Sequence, residues 1–312
     1  MTVNKPLISV AMCTYNGENY LRQQLDTIIN QSYSNLEIVI VDDCSNDGTV
    51  VILHEYAARD SRIRLIENEQ NLGFVRNFSK AMQLCQGDYI ALADQDDIWF
   101  ENKIEHLYKE IGGNLLIYSR IEMVDAKARP RGREFPKVER IDGDCALSLV
   151  LANCVTGHAC LLRRELLSMA GSLLQEAPYH DQLLAFVAAS NQGRLKAGSA
   201  VLSYYRCHED NAVLGNKRRR PASKVLRHRD KVLVRCAFYD RLLASGLLRS
   251  EDQHLLLHFR ALYARNTALF YNWKLRRFLL SEGRVLLRLL PKKKQLRKLC
   301  RGAWYYRLVP FA

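Results

Sequence analysis

Tyr89-Ile90-Ala91-Leu92-Ala93 followed by Asp94-Gln95-Asp96-Asp97-Ile98-Trp99 is the stretch on which the reading of this chain turns. The apolar run reads as a buried strand, and three carboxylates stand directly at its carboxyl end. Closely spaced acids there present hard oxygen ligands to a divalent cation that holds a diphosphate. The same acids also suit a helix cap or a solvated turn, so the rest of the chain must supply a nucleotide site and a base.

Outward from this stretch the front half alternates. Residues 7–12 read as a buried strand, followed by a turn at Asn16-Gly17 and an amphipathic helix over 19–29. A β-branched strand over 36–41 ends in Asp42-Asp43, and a helix over 48–60, a strand over 63–67 and a helix over 75–86 lead back to the acidic stretch. Strand and helix in this order predict an α/β fold, a mostly parallel sheet flanked by helices, with ligands at the carboxyl ends of the strands. Tyr15, Asp43 and Asp94 to Asp97 all fall at those ends. The middle is less regular, with strands expected over 115–118, 154–162 and 201–206, an exposed loop over 127–138 and a helix starting in 163–170. Beyond 217 only helical patterning is found, with a hinge near 216–221, which divides the chain into a domain over 1–215 and a basic helical region over 216–312.

Charge follows the same division. The net charge of +13 arises because residues 1–210 hold 21 Lys+Arg against 28 Asp+Glu, whereas residues 211–312 hold 25 against 5. A basic half of this kind suits nucleic acid, an anionic membrane surface, or solvent alone. Leucine and cations alternate at helical spacing over 276–290, as in interfacial helices or in a packed helix with a solvated basic face. No apolar stretch reaches the length of a bilayer span and the N-terminus has no signal-peptide layout, so a cytoplasmic protein is expected, peripheral on the cytoplasmic face of the inner membrane if the tail binds lipid. The 9 cysteines contain no C-x-x-C pair, which predicts reduced thiols rather than a zinc site or a disulfide scaffold.

Four further sites bear chemistry. In Cys13-Thr14-Tyr15-Asn16-Gly17 an aromatic at a strand end can stack on a nucleobase or merely pack on the sheet. In Val41-Asp42-Asp43-Cys44-Ser45-Asn46-Asp47-Gly48 the acids can accept from a base imide or a ribose, while Ser45 or Asp47 can cap a helix. Asn71-Leu72-Gly73-Phe74-Val75-Arg76 joins a turn glycine, amides and a cation. In Tyr179-His180-Asp181-Gln182 an acid opens a helix, where it can cap or act as a base.

Order and spacing of these segments resemble the family 2 glycosyltransferases, which share the GT-A fold and transfer sugars from nucleotide diphospho-sugars. The likeness is close over residues 6–110 and looser over 150–210. It implies donor contacts at Thr14, Tyr15, Asn16, Asp43, Asn71, Gly73, Arg76, Asp94, Gln95, Asp96 and Arg206. Mg²⁺ or Mn²⁺ would lie on Asp96 and Asp94, with His208 of Arg206-Cys207-His208 approaching it. Asp181 would be the base of an inverting transfer, and His158 and Trp99 would face the acceptor. The form Asp94-Gln95-Asp96-Asp97-Ile98-Trp99 is similar to bacterial rhamnosyltransferases of lipopolysaccharide, O-antigen and capsule synthesis, which implies dTDP-rhamnose ahead of a UDP-sugar and a glycan or lipid-linked acceptor. Two other readings compete. One is a nucleic-acid-binding protein, although the basic half contains no recognised nucleic-acid motif. The other is a nucleotidyltransferase, although Asn16-Gly17-Glu18-Asn19 lacks a glycine-rich phosphate loop.

Overall fold

The computed structural model describes residues 5–209, 224–290 and 293–304. The chain divides into two compact units, Met1–Asp144 with Val155–Asn216, and Cys145–Cys154 with Lys217–Ala312.

The first unit opens with β1 (Ile8–Thr14), α1 (Glu18–Ile29), β2 (Leu36–Asp42), α2 (Thr49–Arg59), β3 (Ile63–Glu67), α3 (Phe74–Leu84) and β4 (Tyr89–Ala93). Continuous apolar runs make β1 and β4 strands that are buried on both faces. The apolar stripe Leu21, Leu25 and Ile28 of α1 joins the core around Val10, Ile38 and Ile40. Each such side chain contributes about 1.5–3 kcal/mol when fully buried. Strands β3-β2-β1-β4 lie side by side and run parallel. Sequence order is broken between β1 and β4, and a crevice opens at such a switch point beyond the carboxyl ends of the strands.

The sheet continues through β5 (Ile98–Trp99), β6 (Leu116–Asp125), β7 (Pro130–Glu134), β8 (Cys160–Arg163) and β9 (Leu195–Cys207). Among the described residues it has 9 strands, with β8 antiparallel between β4 and β6, β9 parallel to β6, and β5 on the outer edge of β9. Helices α4 (Lys103–Ile111), α6 (Glu165–Ala170), α7 (Leu173–Glu176) and α8 (His180–Ser190) complete this unit, and α5 (Ala146–Leu149) belongs to the other.

Three expectations change. The stretch 154–162 is a strand only from Cys160, because Gly157–Ala159 winds into a 3-10 turn. The loop expected over 127–138 contains β7, whose residues are all exposed and which is held by antiparallel pairing to β6 and by the Arg120–Glu134 ion pair. The last strand starts at Leu195, and its pairing with β6 shifts register around Arg120. The hinge expected over 216–221 lies outside the described residues.

The second unit is helical, as the patterning predicts: α9 (Lys224–Ala244), α10 (Ser250–Ala264), α11 (Trp273–Ser281) and α12 (Lys293–Leu299). Its core includes Tyr239, Leu242, Phe259, Leu275 and Phe278, with the Tyr239 and Phe259 rings 5.5 Å apart. Buried Asn272 caps α11, accepting the Leu275 N–H at 3.0 Å and donating to the Leu262 carbonyl at 2.7 Å. No helix among the described residues is long and apolar enough to cross a membrane.

Candidate active site

The loops leaving β1, β2 and β4 are joined by side chains. Asp42, at the end of β2, accepts Thr14 Oγ1 at 2.7 Å and Ser45 Oγ at 2.6 Å. Asn16 adopts φ 49°, a left-handed conformation that asparagine tolerates, and its Oδ1 accepts the Asn46 N–H at 2.9 Å. Gln95 clips Tyr15 by two bonds: the Tyr15 N–H donates to Gln95 Oε1 at 2.7 Å, and Gln95 Nε2 donates to the Tyr15 carbonyl at 3.0 Å. A Cβ on Gly17 would meet Gln95 Cδ at 2.4 Å, so the clip requires glycine there. The Tyr15 ring stays 47 % exposed beside it.

Asp43 has a structural task besides the donor contact expected of it. It is buried, and its carboxylate accepts the N–H groups of Leu72 at 2.8 Å and Gly73 at 2.9 Å and Asn68 Nδ2 at 2.9 Å. Asn71 Nδ2 donates to the Asp43 carbonyl at 3.1 Å, so Asp43 shapes the Asn71–Gly73 turn from both its side chain and its backbone. Gly73 has φ 81° and ψ 155°, a region open essentially to glycine alone. Arg76 is exposed on the first turn of α3.

Two acid–histidine pairs sit at the end of β4. Asp96 Oδ2 and His208 Nε2 approach to 2.8 Å, and the His208 ring lies 4.5 Å from that of Tyr20. Burial, opposed by His208 and aided by the charges of Asp97 and Asp94, pushes the Asp96 carboxyl up to about 6. Crowded carboxylates of this kind, with an imidazole beside them, suit a divalent cation that takes oxygen and nitrogen ligands. The second pair is Asp97 with His158, at 2.9 Å, and Asp94 lies 3.6 Å from the same imidazole nitrogen. Among the described residues, Asp94, Asp97 and His158 bring ligand-type atoms within 4.8 Å of one another. Burial works against charge on His158, but Asp97 and Asp94 outweigh it and hold the group at about 9. Both partners of this pair are sealed from solvent, so it lies inside the protein behind the crevice. Burial likewise pushes Asp94 up, but His158, with His180 and Lys103, brings it below the ordinary value.

Three expected contacts are corrected here. His158 is 0 % exposed, and its carbonyl accepts from Lys103 Nζ, so it faces the protein and not an acceptor. Trp99 is 2 % exposed in the core, with Lys103 Nζ 3.8 Å from its ring centroid. Arg206 is buried: its guanidinium donates to the carbonyls of Asp96 at 2.8 Å and Ala126 at 3.0 Å and to Gln23 Oε1 at 2.6 Å, and its N–H donates to Asp97 Oδ1 at 3.1 Å. It fastens the acidic loop to β9. Lys103 lies on the buried stripe Lys103, Leu107 and Ile111 of α4, and a cation on an apolar face is the sequence signal that marks it.

Asp181 stands in the first turn of α8, where Oδ1 accepts the Gln182 N–H at 2.6 Å. His180 beside it stacks on Phe78 at 4.3 Å. A Cβ on Gly157 would lie 3.9 Å from Asp181 Cβ, which places the acid against the turn that carries His158. Burial pushes the Asp181 carboxyl up, with Asp94 adding to the push and His180 opposing it. A carboxyl raised in this way is a stronger proton acceptor once ionised.

The sequence profile of the family "Glycosyl transferase family 2" matches residues 9–169. An uncharacterized glycosyltransferase of Haemophilus influenzae is 28 % identical over 236 residues, covering 72 % of this chain and 73 % of its own. The putative teichuronic acid biosynthesis glycosyltransferase TuaG of Bacillus subtilis is 41 % identical over 105 residues, which is 34 % of this chain and 42 % of TuaG. Among solved structures, S. aureus TarS 1-349 in complex with UDP-GlcNAc superposes with a TM-score of 0.61 at 17 % identity, covering 92 % of this chain and 77 % of that one. The mannosyltransferase PcManGT from Pyrobaculum calidifontis, in complex with GDP-Man and Mn²⁺, gives 0.59 at 19 % identity, covering 98 % and 88 %. The α/β sheet described above is thus the GT-A fold.

Proposed function

Because the chain belongs to glycosyl transferase family 2 and is a glycosyltransferase, we propose that it performs an inverting, metal-dependent transfer from a nucleotide diphospho-sugar to a hydroxyl of a cell-surface glycan or lipid-linked acceptor. The observation that carries this reading is the gathering of the Asp96–His208 pair, Asp94 and Asp181 around the end of β4. Asp96, Asp94 and His208 would hold Mg²⁺ or Mn²⁺. When bound, that ion supplies positive charge to the departing nucleoside diphosphate.

Tyr15 offers its exposed ring to the base, held in place by Gln95. The Asn71–Gly73 turn, which Asp43 shapes, and Arg76 border the same edge, and Asp43 would meet the base or ribose from beneath that turn. Asp181 takes the proton of the attacking hydroxyl as its oxygen bonds to the anomeric carbon and the bond to the diphosphate breaks. The buried Asp97–His158 pair and Arg206 hold these acids in register. Competing readings as a nucleic-acid-binding protein or a nucleotidyltransferase yield to the family membership.

For the donor we favour dTDP-rhamnose, on the form of Asp94 to Trp99, with UDP-sugars next; TarS and PcManGT, bound to UDP-GlcNAc and GDP-Man, support a nucleotide-sugar of this general kind. A donor panel read by thermal unfolding tests the choice. A ligand at a hundredfold excess over its Kd stabilises by about 2.7 kcal/mol. dTDP-rhamnose with Mg²⁺ or Mn²⁺ is expected to protect, and chelation to abolish the protection. Protection by UDP-hexoses alone reassigns the donor, and protection by no nucleotide sugar defeats the reading.

A further inference from the structure

The second unit carries aromatics and cations that the transfer chemistry leaves unused. Residues 269–304 hold 11 Lys+Arg and 1 acid, Glu282. Within them Phe270, Trp273 and Trp304 are 46 %, 66 % and 46 % exposed. Backbone pairing gathers these rings: the Gly302 N–H donates to the Phe270 carbonyl at 3.2 Å, and Tyr271 bridges Arg301 in antiparallel register. The Tyr271 and Trp273 rings are 4.6 Å apart, so the segments 270–273 and 301–304 bring their aromatics to the start of α11.

Exposure then runs along α11. Trp273, Arg277 and Leu280 follow one another at i, i+4 and i+7 on its outer stripe, while Leu275, Phe278 and Leu279 are buried. Arg284 extends the stripe and donates to the Leu280 carbonyl at 2.7 Å. A merely solvated basic face has no use for two exposed indoles, a phenyl ring and a leucine, since large apolar groups left in water forgo their burial energy. Indole rings at the level of cations are the composition of segments that lie in a bilayer interface.

We propose that this surface docks the protein on an anionic phospholipid bilayer, with Phe270, Trp273 and Trp304 entering the interfacial layer and Arg277 and Arg284 set against the phosphates. The inference stands apart from the transfer reading, because it rests on the second unit alone. Leu280 within the stripe favours a bilayer over single-stranded nucleic acid, which aromatic stacking and charge would satisfy.

The test uses the full chain, sedimented with vesicles of phosphatidylcholine containing phosphatidylglycerol and, separately, of phosphatidylcholine alone. Binding is expected with the anionic vesicles only, accompanied by a blue shift of emission, because Trp273 and Trp304 are 2 of the 3 tryptophans and Trp99 is in the core. Replacing both cations, Arg277→Gln with Arg284→Gln, should weaken binding roughly 25-fold. Trp273→Ser with Trp304→Ser should weaken it on the order of tenfold, whereas the paired changes to Phe should retain it. Equal binding to neutral vesicles overturns the proposal, as does unchanged binding in either the Arg or the Trp→Ser pair at an unchanged unfolding temperature. Tighter binding to a single-stranded oligonucleotide that anionic vesicles cannot displace also overturns it, in favour of a nucleic acid.

Discussion

Asp96 with His208 and Asp97 with His158 are neighbouring acids paired to histidines at almost the same separation, 2.8 and 2.9 Å. Their surroundings differ. The first pair retains some exposure at the crevice, whereas the second is sealed from solvent on both partners. A carboxylate–imidazole distance therefore does not identify a ligand set. What separates the two is whether a further atom can reach the pair, and whether a second acid crowds the histidine, as Asp94 does His158 at 3.6 Å.

Asp181 lies outside both pairs and calibrates them, since chemistry should fail there while either pair stays intact. Asp181→Asn is expected to lower kcat by about 10²–10⁴ with donor binding retained, and full turnover in that variant would reject the base assignment. Next in size, Asp97→Ala strips buried His158 of its nearer carboxylate, leaving Asp94 at 3.6 Å, and should cost about 3–5 kcal/mol in urea unfolding. Asp96→Ala should leave stability within about 1 kcal/mol. Its effect should appear instead as a loss of at least about tenfold in metal-dependent donor affinity by titration calorimetry. If both alanine variants lose the same stability, the contrast between the pairs collapses.

A smaller effect concerns pH. Asp181 must be ionised to accept a proton, and its carboxyl is raised by burial. The acid limb of kcat/KM should accordingly lie above the ordinary carboxylate range, with activity falling as pH drops through it. A limb at the value of a free carboxylate would show that the limb belongs to another group. Smallest is the half-buried Asp60–Arg62 pair at 2.6 Å, where Arg62 holds the Asp60 carboxyl below its usual value. Its contribution is present above the unfolded carboxylate range and is lost as pH falls through the depressed folded value. Arg62→Gln should cost no more than about 1 kcal/mol in unfolding near neutrality.

Legibility tracked the kind of burial. The front strands and helices were readable because β1 and β4 are continuous apolar runs and α1 repeats leucine and isoleucine on one stripe. β7 gave no such signal, since Pro130-Arg131-Gly132-Arg133-Glu134 has no apolar alternation and becomes a strand only by lying on β6. The acids Asp94, Asp96 and Asp181 announced themselves by position after a strand or at a helix start. Whether His158, Trp99 and Arg206 face solvent was hidden, because it depends on what covers them from elsewhere in the chain. Lys103 covers the first two, and the acidic loop with Gln23 and Ala126 encloses the third. Asp43 shows the same limit: two adjacent acids at the end of β2 point to different tasks, one joining strands and one shaping a turn.

The two-bond clip between Gln95 and Tyr15 has a consequence for anyone redesigning donor preference. Position 95 looks like a neutral spacer between two acids, yet its amide sets the seat of an aromatic 80 residues earlier in the chain. Replacing it with a residue that lacks a paired donor and acceptor would unseat the ring while leaving both flanking carboxylates untouched. In the proposed donor site, base and diphosphate subsites would then be coupled through one amide, and libraries that vary positions 15 and 95 separately would miss the combinations in which they must change together.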